Sequence, residues 1–367
     1  MKKILSGLLV LCMLCSAASA QASDIESILQ NMTLREKIGQ LFCVRPEAIM
    51  VSGSKVLGEK SREILAEYPV GGFVFFANNI ESAPQVKQLM ADLSSVTKIP
   101  PYFAVDEEGG SVARIANSSA YPNVPDVGSM GKIGKTGDSA KAREAGKTIG
   151  SYLKALGFHL DFAPVADVRS NSGNSVIGNR AFSSDPELAA EMVAAAVQGF
   201  REAGMACTLK HFPGHGHTNG DTHHGSAVTG KTWKEMLECE ILPFEAGIAA
   251  GADAVMMAHI LTPNAAGDGL PASLSPEMVS RLRNDLGFGG LIITDSLEMA
   301  AITKDYSSDE AAMAALYAGA DVLLMPRELK TAFDMMVWAV EENILPMERV
   351  DTSVRRILHF KKNLGLI

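Results

Sequence analysis

The chain has 367 residues, of which 47% are hydrophobic and 20% are charged, as expected for a globular protein with a large core. Its net charge of −9 argues against nucleic acid or an anionic membrane surface as a partner. Length alone allows one large domain or two domains of ordinary size.

The N-terminal segment has the three parts of a secretory signal peptide. Two lysines precede an apolar run at residues 4–15, and an Ala-x-Ala cleavage site ends at Ala20. We predict a signal peptide at residues 1–20, export to the periplasm or beyond, and no membrane insertion after cleavage. A buried N-terminal helix is the alternative. A lipoprotein is less well supported, because Cys12 and Cys15 both follow leucine rather than a small residue.

Eight apolar runs of strand length follow along the rest of the chain. They are continuously hydrophobic rather than alternating, which is typical of parallel strands covered on both faces. The runs are Leu41–Val44, Gly72–Phe76, Tyr102–Val105, His159–Val165, Cys207–Lys210, Ala254–Ala258, Leu291–Thr294 and Val322–Met325.

Helical patterns fill most of the intervals between these runs. The capping box Thr33-Leu-Arg-Glu36 predicts the start of the first helix. Gly204, Gly251 and Gly319 stand where three helices are expected to end. The predicted helices with apolar residues at helical spacing are Ala140–Leu156, Pro186–Ala203, Thr232–Ala250, Ser275–Leu286 and Ser308–Ala318.

Eight strand-then-helix units predict an α/β fold, a single (β/α)₈ TIM-type barrel over residues 24–367 without a second α/β sandwich domain. A doubly wound open sheet is the alternative. Polar residues directly after several strands favour the barrel, because a barrel gathers such positions on one rim and an open sheet spreads them along an edge. These residues are Asp106, Asp167, Lys210, His211, His259 and Asp295.

A histidine-rich segment, residues 210–224, contains five of the eight histidines of the chain. In Asp221-Thr-His223, the aspartate could hold one imidazole nitrogen while the other exchanges a proton with a substrate. A metal site is a second hypothesis, but the spacing of the histidines matches no common metal-binding framework. A solvated loop without chemistry is the third.

Asp295 ends an apolar run in Ile292-Ile-Thr-Asp-Ser-Leu-Glu298. One interpretation is an N-cap of the following helix. The other is a nucleophile, since a carboxylate at a strand end can attack the anomeric carbon of a sugar, as retaining glycosidases require.

The segment Val105-Asp-Glu-Glu-Gly-Gly-Ser-Val-Ala-Arg114 places acidic residues directly after a strand, with an arginine nearby. Such groups suit bidentate recognition of vicinal hydroxyls or of an amide, or an internal salt bridge that organises a loop. Neither this segment nor Ile177-Gly-Asn-Arg180 is specific by itself.

Taken together, these motifs closely resemble the β-N-acetylglucosaminidase branch of glycoside hydrolase family 3. The characteristic piece is Lys210-His-Phe-Pro-Gly-His-Gly216 followed by Asp221-Thr-His223. The resemblance extends over nearly the whole chain after the signal segment. It includes residues 32–42, 105–110, 160–167, 177–180, 257–260, 293–299, 318–326 and 351–358.

The resemblance implies a role for each of several residues. Asp295 corresponds to the nucleophile, and His223 to the general acid/base, assisted by Asp221. Asp167 and His259 would support the rim. His215, His217 and His224 acquire no role. The residues implied to contact the N-acetylglucosamine are Asp106, Arg114, Arg180, Lys210 and His211.

By the same resemblance, the chain is expected to be an exported, retaining exo-β-N-acetylglucosaminidase (a β-N-acetylhexosaminidase) that uses no cofactor and no metal. Its expected substrates are small carbohydrates with a terminal β-linked N-acetylhexosamine, from peptidoglycan fragments or chitooligosaccharides. Two alternatives stay open, a different sugar preference such as glucose or xylose, and phosphate in place of water as the acceptor.

Overall fold

A computed structural model describes residues 24–218, 220–222 and 225–367 of the chain. The predicted signal peptide at residues 1–20 lies outside these residues. The described strands are β1 Phe42–Val44, β2 Gly72–Phe75, β3 Tyr102–Val105, β4 Leu160–Asp161, β5 Ala206–Phe212, β6 Ala227–Val228, β7 Ala254–Met257, β8 Ile260–Leu261, β9 Leu291–Thr294 and β10 Leu323–Leu324.

Eight of these strands form one parallel sheet that closes into a barrel. Their order is β10-β1-β2-β3-β4-β5-β7-β9. The two outer strands meet through a parallel bridge between Ile293 and Val322, and the N–H of Thr294 donates to the carbonyl of Val322 at 3.0 Å. The predicted (β/α)₈ barrel is therefore confirmed, and each of the eight apolar runs overlaps one of its strands.

The helices surround the barrel, and neighbouring helices such as Ser139–Leu156 and Pro186–Ala203 pack against each other. Residues 24–31 form α1. The others are α2 Leu34–Gln40, α3 Glu59–Glu67, α4 Ala83–Ser94, α5 Met130–Gly134, α6 Ser139–Leu156, α7 Pro186–Ala203, α8 Trp233–Leu237, α9 Leu242–Ala250, α10 Pro276–Ser280, α11 Ala300–Thr303, α12 Ser308–Ala318, α13 Leu329–Glu341 and α14 Met347–Asn363. None of the helices in the described ranges is long and apolar enough to cross a membrane.

Local signals placed several helix ends correctly. The capping box at Thr33 and Glu36 is present at the start of α2. Gly204, Gly251 and Gly319 cap α7, α9 and α12 in the left-handed conformation that glycine adopts at low steric cost.

Two predicted helices differ from the structure. The segment Thr232–Ala250 divides into α8 and α9, with Pro243 in the first turn of α9. Proline has no backbone N–H to donate to the preceding turn, so a continuous helix is disfavoured there. The segment Ser275–Leu286 begins as α10 and continues as a π-helical turn over Arg281–Asp285.

A small two-stranded sheet, which the sequence analysis did not predict, lies outside the barrel. β6 pairs in parallel with β8, with Ala227 opposite Ile260. β6 follows the histidine-rich segment, and β8 follows the end of β7. The pairing therefore connects the chain after that segment to the β7 side of the barrel.

Candidate active site

A cavity of about 330 Å³ opens where the carboxyl ends of the barrel strands meet. Apolar side chains such as Phe76, Phe162 and Met256 form part of its wall. The five residues implied to contact the sugar and the predicted nucleophile all line it, as a barrel rim should allow. The polar residues of the cavity include Asp106, Glu108, Arg114, Arg180, Lys210, His211, His215, Thr222 and Asp295.

An ion cluster centred on Glu108 forms one side of the cavity. The Nζ of Lys210 lies 2.6 Å from Oε1 of Glu108 and 2.6 Å from Oδ1 of Asp106. Arg180 approaches the same glutamate with two nitrogens, Nε at 2.8 Å from Oε2 and Nη2 at 2.7 Å from Oε1. For the acidic motif, the salt-bridge interpretation therefore holds for both Glu108 and Asp106, and both residues also line the cavity.

The charges of this cluster stabilise one another. Burial alone would raise the pKa of Glu108, but Lys210 and Arg180 outweigh it and hold that pKa well below its usual range. Burial would lower the pKa of Lys210, yet Asp106 and Glu108 raise it. Glu108, Lys210 and Arg180 are consequently ionised at neutral pH, which gives the cavity fixed charged donors and acceptors that match sugar hydroxyls.

Glu107, the residue before Glu108, organises the loop that carries Arg114. Its carboxylate is fully buried and accepts the backbone N–H groups of Arg114, Ile115 and Ala116 and the hydroxyl of Tyr152. The guanidinium of Arg114 lies over the ring of Phe76, with one nitrogen 3.8 Å from the carboxylate of Asp106.

His211 is oriented by Asp167 behind the cavity wall. Its Nδ1 lies 2.7 Å from Oδ2 of Asp167, which leaves Nε2 facing the guanidinium of Arg180 at 3.4 Å. Burial alone would raise the pKa of Asp167. The charge and the hydrogen bond of His211 lower this pKa by more, so the net shift is downward. The Lys210–His211 peptide bond is cis, and both side chains line the cavity.

Asp295 lies directly after β9, partly exposed to the cavity. Its Oδ1 accepts the N–H of Ser296 at 2.7 Å, which orients the carboxylate. Burial raises the pKa of Asp295, whereas the charges of His259 and His211 lower it more, so the group is ionised at neutral pH. His259 also holds the following turn, with its Nε2 2.8 Å from the carbonyl of Ser296.

The glycines of the histidine-rich segment allow it to pass close to the barrel. A Cβ on Gly214 would lie 2.7 Å from Cβ of Glu240, and one on Gly216 would lie 2.0 Å from the carbonyl oxygen of Val168. Both contacts are shorter than side chains tolerate. The turn after β5 therefore requires glycine at these two positions. Close packing against the barrel explains why Gly214 and Gly216 stand on either side of His215.

The predicted acid/base residue His223 lies outside the described residues, as do His224 and Asn219. Asp221 is described, and its backbone carbonyl accepts the N–H of Gly225 at 3.1 Å. Thr222, which directly precedes His223, lines the same cavity as Asp295. In the part of the chain that the structure describes, no group of three or more His, Cys, Asp or Glu side chains could hold a metal ion.

Glu107, His215 and Thr222 were not singled out as functional residues in the sequence analysis. Two signals could have pointed to them. Glu107 stands in an acidic run at a strand end, where a buried charge needs partners. His215 and Thr222 belong to the motif that carries the resemblance, although nothing in their spacing shows that they contact each other.

The family model of the glycosyl hydrolase family 3 N-terminal domain matches residues 33–360. The chain belongs to this family of glycoside hydrolases. Among its relatives, a β-hexosaminidase from Xylella fastidiosa (strain 9a5c) is 42% identical over 280 residues, or 76% of this chain and 82% of its own length. A β-hexosaminidase from Stenotrophomonas maltophilia (strain R551-3) is 39% identical over 279 residues, with the same coverage.

A solved structure of another family 3 member has the same barrel. It is a β-N-acetylglucosaminidase from Paenibacillus sp. str. FPU-7, 38% identical, with a TM-score of 0.85 over 91% of this glycoside hydrolase. The present chain spans 63% of the length of that protein.

Proposed function

We propose that this family 3 glycoside hydrolase is an exported, retaining exo-β-N-acetylglucosaminidase that removes terminal β-linked N-acetylhexosamine from small carbohydrates. Similarity to β-hexosaminidases at about 40% identity supports the activity. The sequence of residues 1–20 supports export, and peptidoglycan fragments or chitooligosaccharides are the proposed sources of substrate.

One observation carries the proposal. Asp295 and Thr222, the neighbour of His223 in the chain, line one cavity together with the five residues implied to contact the sugar. A nucleophile and an acid/base residue must act on the same glycosidic bond, one at C1 and the other at the leaving oxygen. The presence of Asp295 and the chain neighbour of His223 at one cavity supports action of both groups on a single bound sugar.

In the first proposed step, a carboxylate oxygen of Asp295 attacks C1 of the sugar. The bond from C1 to the leaving oxygen breaks, and protonated His223 gives its proton to that oxygen. The product is a glycosyl–aspartate ester. Because the pKa of Asp295 is held below its usual value, the nucleophile is ready in its ionised form.

In the second step, neutral His223 accepts a proton from water, whose oxygen attacks C1 and releases Asp295. Two inversions at C1 give net retention. Asp221 is proposed to hold His223 in the tautomer that both steps need. Asp106, Arg114, Arg180, Lys210 and His211 are proposed to bind the N-acetylglucosamine.

A slow fluorinated N-acetylglucosaminide tests the proposal by trapping the covalent ester. Peptide mapping of the labelled protein should find the sugar on Asp295, and Asp295→Asn should not be labelled. A label on another residue under conditions of verified turnover would contradict the mechanism. Faster hydrolysis of a chromogenic glucoside or xyloside than of the N-acetylglucosaminide would contradict the sugar preference.

A further inference from the structure

Thr222 is fastened to two different loops of the barrel rim. Its side chain is 1% exposed, and its Oγ1 lies 3.2 Å from Nε2 of His215 on the loop after β5. Its backbone carbonyl accepts the N–H of Ala301 at 3.2 Å, at the start of α11. Because α11 follows the loop that begins with Asp295, Thr222 connects the histidine-rich segment to the nucleophile's side of the cavity.

His215 is itself held rigidly. Its backbone N–H donates to Oδ1 of Asp167 at 2.6 Å, and its Nδ1 lies 2.9 Å from Oγ1 of Thr218. Burial and the charge of His211 lower the pKa of His215, so its imidazole is neutral. The Thr218 hydroxyl donates to the carbonyl of His215 at 2.9 Å, and it therefore accepts from Nδ1–H.

This arrangement sets the direction of the bond to Thr222. With its proton on Nδ1, the neutral imidazole of His215 presents a lone pair at Nε2. The hydroxyl of Thr222 then donates to that lone pair. A valine at position 222 would keep the shape of the side chain but could not make this bond.

We infer that Thr222, held by His215 and Ala301, is a positioning residue for the proposed acid/base residue His223. Thr222 and His223 are adjacent, so their Cα atoms are about 3.8 Å apart and a shift of one moves the other. Next to Thr222, the carbonyl of Asp221 accepts the N–H of Gly225 at 3.1 Å. The inference rests on the proposed function, and it gives His215 a role.

The alternative is that these contacts only stabilise the fold. The acidity of the leaving group distinguishes a positioning role of Thr222 from this purely structural role. A misplaced acid slows departure of poorly acidic leaving groups, whereas very acidic ones need little protonation. Loss of general stability would instead lower turnover of all substrates alike.

The experiment measures kcat/KM of Thr222→Val for aryl N-acetylglucosaminides whose phenols span a wide pKa range. A displacement of about 1 Å can cost on the order of 10²-fold. We therefore expect a loss of about 100-fold for the least acidic phenol and less than about threefold for the most acidic. Thr222→Ser keeps the hydroxyl and should remain within about threefold of the wild type for both.

Thr262→Val is the matched control. Thr262 is 2% exposed, follows β8, and has no hydrogen-bond partner for its hydroxyl among the described residues. The Thr262→Val variant should leave the dependence of kcat/KM on the leaving group unchanged. His215→Leu should reproduce the pattern of Thr222→Val, and it serves as the second variant if Thr222→Val does not fold.

Equal losses of Thr222→Val for all leaving groups, or no loss, would overturn the inference. A wild-type protein inactive on every N-acetylhexosaminide would instead contradict the proposed function. The two failures are therefore distinguishable.

Discussion

The ammonium group of Lys210 lies 2.6 Å from the carboxylate of Glu108, and neither side chain is more than 3% exposed. Charges buried to this degree are stable only when they are paired, because an isolated ion loses its hydration without compensation. The pair also joins the end of β5 to the loop after β3. The shape of the candidate sugar site thus depends on an interaction that also stabilises the barrel.

Glu108→Gln should reduce both stability and substrate binding. Removing one partner of a buried ion pair costs about 3 kcal/mol or more, since the other charge remains unpaired. We expect that loss in chemical denaturation, together with a higher KM for an N-acetylglucosaminide. Glu144→Gln, at an exposed position of α6, is the control and should change neither quantity.

The same variant should alter how stability depends on pH. The pKa of Glu108 is lower in the folded protein than in the unfolded chain, so its contribution is complete above about pH 4.3 and is lost as the pH falls through the folded value. The wild type should lose free energy of unfolding on acidification more steeply than Glu108→Gln. Parallel curves for the two proteins would contradict the shifted pKa.

Glu107→Gln should impair activity through the loop that carries Arg114. A glutamine turns an N–H group toward backbone N–H donors and loses one acceptor, so the loop must shift. We expect kcat/KM to fall by about 30-fold. A displacement of about 1 Å can cost on the order of 10²-fold, so this loss corresponds to a smaller shift. Tyr152→Phe removes one of the four hydrogen bonds to Glu107 and should lose much less. Similar losses in both variants would speak against a positioning role of the carboxylate.

Lys361 should make stability increase with pH in the alkaline range. This lysine of α14 is fully buried, and its Nζ donates to Oε1 of Gln40 at 2.6 Å and to the carbonyl of Pro100 at 2.8 Å. Burial lowers its pKa to about 7. Between that value and about 10.4 the unfolded chain binds the additional proton, so the free energy of unfolding rises with pH, by at most about 1.4 kcal/mol per unit.

Denaturation of the wild type and Lys361→Met from pH 6 to pH 10 measures this contribution. The difference between the two proteins should change across that window in favour of the wild type. Lys141→Met, at an exposed position of α6, should show no such change relative to the wild type. A constant difference between the wild type and Lys361→Met would mean that Lys361 titrates normally.

His223→Ala should retain activity best toward substrates with highly acidic leaving groups, since these depart with little protonation. Losses of about 10² to 10⁴-fold are expected for poorly acidic ones, the usual contribution of a general acid. Steady-state rates over a series of aryl N-acetylglucosaminides measure the effect. If all substrates slow equally, His223 is not the acid.

Exhaustive chelation should leave turnover of an N-acetylglucosaminide unchanged, because the proposed mechanism uses carboxylate and imidazole groups alone. The test is a rate measurement before and after dialysis against a strong chelator. Loss of activity, with recovery on addition of a divalent metal, would favour the metal-site hypothesis for the histidine-rich segment.

The sequence by itself determined the architecture and the chemical types gathered at the site. The apolar runs overlap the eight barrel strands, and α7 and α12 begin and end where their patterns predicted. These features depend on hydrophobic periodicity and capping, which act between residues close together in the chain. The rule that strand ends share one rim then predicts that Asp106, Lys210 and Asp295 lie together.

Only the tertiary structure decided which groups are partners. The bonds from Glu108 to Lys210, from His215 to Thr222, and from β6 to β8 join segments whose local patterns do not refer to one another. Their geometry arises when the barrel closes and each buried polar group must find a partner. For this reason a motif could indicate sugar chemistry, while the position of each donor and acceptor depended on how the helices and strands packed.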